Sequence, residues 1–136
     1  MRGYDFTAGY CLAFAKALRS ALGRGARIVD VVEPEDEAAA ASQHPWLYPG
    51  KPHHVVVEFH GRYYDADGDY SADELLARWA QRAVDNHYPL SQPFRLEPHD
   101  AKRARDVGLK SPRDAVLAAG PEARAIAARV GKGRRQ

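Results

Sequence analysis

The sequence predicts an α+β domain: an N-terminal helix bearing the chain's one cysteine, packed on a small antiparallel sheet, with further helices after it. Three observations predict this. Cys11, Phe14, Ala15, Leu18 and Leu22 recur at the spacing of a single helical face. Residues 54–59 (HVVVEF) and 62–66 (RYYDA) flank His60-Gly61, the pattern of a tight hairpin. From Asp100 onward the composition turns to alanine, lysine and arginine, with helical tendency throughout.

The elements follow in order. Residues 8–22 form the first helix, with Thr7 or Asp5 able to cap its start and Gly23 and Gly25 ending it. The β-branched run 26–32 (ARIVDVV) reads as a strand. Residues 33–50 look irregular, because Pro45, Pro49, Gly50 and Pro52 break any regular element there. The hairpin comes next. Ser71 and Glu74 make a capping box for a helix to about Arg82, with Leu75, Leu76 and Trp79 on its apolar side. A proline-interrupted stretch leaves room for one edge strand near residues 94–96. Helical segments are expected over 100–107, from Ser111-Pro112 to Ala119, and over 121–130, with a disordered GKGRRQ end.

A chain of 136 residues with 45% hydrophobic and 28% charged residues suits one globular domain. No apolar run nears the ~20 residues of a membrane span. Arg2 is followed by polar and aromatic residues rather than an apolar leader, so the expected location is cytoplasmic; delivery as an effector or toxin is compatible with this. One cysteine excludes an internal disulfide and cysteine-rich metal sites. The overall charge of +2 hides an asymmetry: residues 99–136 hold ten Lys/Arg against four Asp/Glu, a net of +6. Such a tail suits nucleic acid or an acidic partner, although a solvated helical end is the simpler account.

Cys11 falls in the first turn of its helix, where the dipole favours a thiolate and backbone N–H groups face a developing oxyanion. Gly9 leaves room for a substrate carbonyl. The same cysteine lies on the apolar stripe, so plain core packing is the competing account. In the hairpin, a two-residue turn sets Phe59 against Arg62 and puts His54, Val56, Asp65 and Asp67 on one face. A histidine held by a carboxylate through one ring nitrogen, with the other nitrogen toward a thiol, is a base–orienter pair. A three-residue loop would turn both aspartates away. A metal site from His53, His54 and His60 is disfavoured because the first two alternate faces, and DADGDYS lacks the closing glutamate of a calcium loop.

The segment from Gly9 through Cys11, Phe14 and Ala15 to Leu22 and Gly23, followed by Ala26, Arg27 and Val29, resembles the nucleophile helix and first strand of transglutaminase-like proteins in the papain-like superfamily. His54, Val56 and Glu58, then Gly61, Tyr63 and Asp65, resemble that family's histidine and aspartate strands. The match covers residues 7–32 and 54–67, and departs from the family where Val56 replaces an aromatic residue and tyrosines replace a tryptophan.

The resemblance implies a papain-like core with Cys11 as nucleophile, His54 as general base and Asp65 (with Asp67 as rival) orienting the imidazole. It implies thioester chemistry on an amide or peptide bond, a protein or peptide substrate, no cofactor and no metal. Thr7 and Gln43 are the candidates for a second oxyanion donor, and Trp46 and Tyr48 for lining a cleft. Residues 1–98 would be the thiol-enzyme-like core and 99–136 a basic helical extension of the same domain. The alternative is an inactive relative that binds a partner through Lys132, Arg134 and Arg135.

Overall fold

The computed structural model describes residues 4–6, 9–34, 50–90 and 93–135, with the side chains of the last helix described through residue 131. The elements are α1 (Cys11–Leu22), β1 (Arg27–Glu33), β2 (Lys51–Phe59), β3 (Arg62–Asp65), β4 (Gly68–Tyr70), α2 (Ala72–Asp85), β5 (Arg95–Pro98), α3 (Ala101–Asp106) and α4 (Arg113–Arg135). The architecture is α+β. A five-stranded sheet in the order β4-β3-β2-β1-β5, antiparallel throughout, separates two apolar layers.

Period-2 alternation along β2 sorts those layers. Val55, Val57 and Phe59 meet α1, whose Leu12, Phe14 and Leu18 are buried with Ala119, Ala123 and Ile126 of α4. Val56, with Val29 and Val31 of β1, faces Leu75, Trp79 and Ala83 of α2. Each large side chain buried here is worth roughly 1.5–3 kcal/mol against leaving it in water. Packing of α1 between sheet and α4 therefore fixes where the cysteine stands.

Several boundaries differ from expectation. The first helix begins at Cys11 rather than Ala8; Tyr10 is its N-cap and offers no side-chain bond, while the Tyr10 N–H reaches the Asp5 carbonyl. Thr7 lies outside the described residues. Gly23, at φ +84°, ends the helix by donating its N–H to the Arg19 carbonyl. Pro52 does not break the chain but sits inside β2, at a shift of register between His54 opposite Val31 and Pro52 opposite Val32. A missing N–H is tolerated at such an irregularity. Strand β4 was not foreseen; it returns the chain from Asp65 to the capping box.

That box forms as expected, with Glu74 N–H donating to Ser71 Oγ at 3.1 Å and Ser71 N–H to Glu74 Oε1 at 2.8 Å. The two helices expected beyond residue 111 are one, α4, running through Pro121 to Arg135 and so through most of the GKGRRQ segment. The stripe of Ala115, Ala119, Ala123 and Ile126 continues across the proline against α1. Burial of that stripe outweighs the local break.

Candidate active site

The turn on which the histidine–aspartate face depends is a two-residue turn. His60 and Gly61 both take positive φ, +52° and +81°, as a type I′ connection requires. The ladder pairs Phe59 with Arg62, Glu58 with Tyr63 and Val57 with Tyr64. It stops there, so among the described residues β2 from Lys51 to Val56 has no ladder partner on its β3 side.

Beyond the ladder the two strands are joined by side chains. His54 Nε2 lies 2.8 Å from Asp65 Oδ2, and the two side chains are 2% and 4% exposed. Asp65 Oδ1 accepts the backbone N–H groups of Asp67 at 2.9 Å and Gly68 at 3.1 Å. Burial alone would raise the Asp65 carboxyl; the His54 bond and the two amides outweigh it and hold it below the usual carboxylate range. An ionised Asp65 accepts, so His54 presents Nε2–H to it; in the neutral imidazole Nδ1 is then the lone-pair nitrogen. Nδ1 is buried and has no hydrogen-bond partner among the described residues. The rival Asp67 points outward to Arg78 at 3.3 Å.

The imidazole is clamped from the helix side. Trp79 of α2 stacks on His54 with centroids 4.7 Å apart and planes at 27°. The Arg82 guanidinium lies over the Trp79 ring, 4.7 Å from its centroid.

Cys11 occupies the first position of α1 and is 1% exposed. It belongs to the layer of Val55 and Val57, whereas His54 stacks with Trp79 in the α2 layer. Burial pushes the thiol up to about 12; backbone hydrogen bonding at Val55 and Leu12 opposes that rise, and the Asp30 carboxylate adds to it. The second ring nitrogen of His54 is expected to face the thiol; in this structure the two stand in different layers. The structure unites His54 and Asp65, and no hydrogen bond joins Cys11 to His54. The cause is strand alternation: α1 packs on the Val55 face of β2, and His54 is one residue out of phase.

Comparison with protein-family models, with curated proteins and with solved structures found no match.

The remaining candidates are dispersed. His53 bonds Glu33 at 2.8 Å and His60 is in the turn, so these two do not converge with His54. Asp69 of the DADGDYS segment pairs with Arg62 at 3.2 Å. Gln43, Trp46 and Tyr48 lie outside the described residues, as do the side chains of Lys132, Arg134 and Arg135.

One polar cluster escaped the sequence reading. Asp30, fully buried in β1, is bonded to Arg103 at 2.9 Å, to His99 Nδ1 at 2.9 Å and to the Asp100 N–H at 3.2 Å. Its signal was present: an aspartate in the middle of an otherwise apolar strand must find partners when buried.

Proposed function

We propose that this chain is a cysteine-nucleophile acyl-transfer enzyme of papain-like or transglutaminase-like type, acting on an amide or peptide bond. The observation that carries the reading is His54: anchored by Nε2 to a buried carboxylate, with a buried Nδ1 that has no hydrogen-bond partner among the described residues. An unpaired buried nitrogen costs about 1–3 kcal/mol. Such a cost suits a group kept ready to take a proton. Cys11 meets β2 at Val55, the neighbour of His54, along the stretch where β2 lacks a β3 ladder partner. In this structure the thiol and Nδ1 stand in different layers, so the reaction requires a rearrangement that brings them together.

Once the two groups are brought together, the Cys11 S–H proton moves to His54 Nδ1 and the thiolate adds to the substrate carbonyl carbon. The oxyanion is met by N–H groups of the first turn of α1, released from the thiol as it becomes the thioester sulfur. The C–N bond then breaks, His54 returns the proton to the leaving nitrogen, and the acyl group remains on sulfur as a thioester. Water or an amine resolves it. Asp65 holds the imidazole in the required tautomer and offsets its positive charge. A bare thiolate is disfavoured by burial, so charge separation is accessible as the thiolate–imidazolium pair.

The test is the rate of carboxamidomethylation of Cys11 by iodoacetamide from acidic to alkaline pH, in wild type and His54→Ala. Reaction well below the ordinary thiol value of about 8.5, lost in the variant, is the expected result. A thiol that reacts only in strong alkali or on unfolding, indifferent to His54, would overturn it.

The burial of Cys11 specifically favours a second reading, an inactive relative in which the cysteine is core and the basic tail binds a partner. Such a protein would retain its function in Cys11→Ser and lose it, with steep salt dependence, when Lys132, Arg134 and Arg135 are neutralised.

A further inference from the structure

On the α1 side of the sheet, a cavity of about 500 Å³ opens between the β3–β4 edge and the second half of α4. Its volume is that of a small-molecule site. Phe59, Tyr64, Ala66 and Ile126 supply an apolar floor. The aspartates around it are already engaged: Asp65 by His54 and two amides, Asp67 by Arg78, Asp69 by Arg62. Two lining charges of α4 are not. Glu122 and Arg129 are both exposed, and neither has a hydrogen bond or ion pair among the described residues.

These two flank Ile126 at i−4 and i+3, so an anion and a cation stand on either side of the buried floor residue. Along the helix they are about 10 Å apart at their backbones. The termini of an extended dipeptide are about 7 Å apart, within reach of both flexible side chains. We propose that the cavity binds a short zwitterionic peptide carrying a bulky apolar side chain. Its ammonium meets Glu122, its carboxylate meets Arg129, and the apolar group lies over Ile126 and Tyr64. A neutral ligand would leave both charges unused, and a simple anion or cation would face one of them with like charge. Asp65 also lines this cavity, while its carboxylate, 4% exposed, turns to His54 on the opposite face of the sheet. Binding here does not require a reactive Cys11.

The experiment is a titration of the isotopically labelled full chain with glycyl-L-phenylalanine, followed by backbone amide shifts. A ligand of this size at ordinary efficiency binds at about millimolar concentration. Saturable shifts at Phe59, Tyr64, Ala66 and Ile126 are expected. Glu122→Gln and Arg129→Gln should each weaken binding about two- to five-fold, the worth of an exposed ion pair. Ile126→Trp should block the cavity; if that variant fails to fold, the two surface variants carry the test. Absence of saturable shifts to about 10 mM, the weak end for so small a ligand, would overturn the proposal. So would shifts mapping elsewhere, or equal binding by the doubly blocked N-acetyl, C-amide dipeptide. None of these outcomes depends on thiol activity, so this site and the acyl-transfer reading can fail separately.

Discussion

His54 and Asp65 are joined at 2.8 Å across a gap where their strands share no ladder pair, so the side chains themselves close the sheet. Asp65 makes that closure with both oxygens, one to the imidazole and one to two amides. Asp65→Ala should therefore cost about 3 kcal/mol in denaturant unfolding, the scale for breaking a buried pair from one side. Asp65→Asn, which keeps an acceptor for the amides, should cost less.

The same carboxyl predicts an acid dependence. Its folded pKa is depressed, so the stability it contributes is fully present above the ordinary carboxyl value of about 4 and is lost as pH falls through the folded value. Wild-type unfolding free energy should drop over that acidic range, and the drop should shrink in Asp65→Asn. A variant with the wild-type acid profile would place the linkage on other groups.

The hairpin turn offers an independent check of register. His60 holds φ +52°, a region where asparagine is at ease and histidine less so. His60→Asn should stabilise the domain by about 0.5 kcal/mol, and Gly61→Ala, at φ +81°, should cost about 1 kcal/mol. Slower amide exchange along residues 57–64 in His60→Asn is the direct readout. If neither substitution changes exchange there, the turn does not set the pairing.

Much of this was legible because it is local. The His60-Gly61 turn, the Ser71–Glu74 box and the stripe of α1 are each written in neighbouring residues, and all three form. The hairpin register followed from the turn, and the shared face of His54 and Asp65 followed from the register. What the sequence hid is non-local. Which face of β2 the cysteine helix covers is decided by α4 packing beyond it, a contact between residues some hundred positions apart. Periodicity places Cys11 on the inner side of its helix without saying which side of the sheet that inner side meets. Arg103 as the partner of Asp30, 73 positions away, was invisible for the same reason.

That pair predicts an asymmetric cost. Arg103→Ala leaves Asp30 fully buried with only His99 and one amide to hold it, and should cost about 3–5 kcal/mol. Replacing both charges, Asp30→Leu with Arg103→Met, should recover much of that loss because no buried charge remains. Urea unfolding of the single and double variants decides it. A double variant no better than Arg103→Ala alone would mean the network's geometry, rather than its charge balance, secures the β5–α3 corner to β1.

Pro121 separates two accounts of the C-terminal region. By local rules it stands at the first position of a new helix, where its fixed φ is favourable and replacing it would do harm. In the structure it lies inside α4, with no N–H to give the Leu117 carbonyl and a ring crowding that turn. An interior proline costs about 3 kcal/mol. Part of that is relieved on the solvent side, where Leu117 is exposed. Pro121→Ala should therefore raise stability by about 1–3 kcal/mol and increase helical circular dichroism. A loss of stability would instead mean two helices meeting at residue 121, and with them a looser hold on α1 and on the position of Cys11.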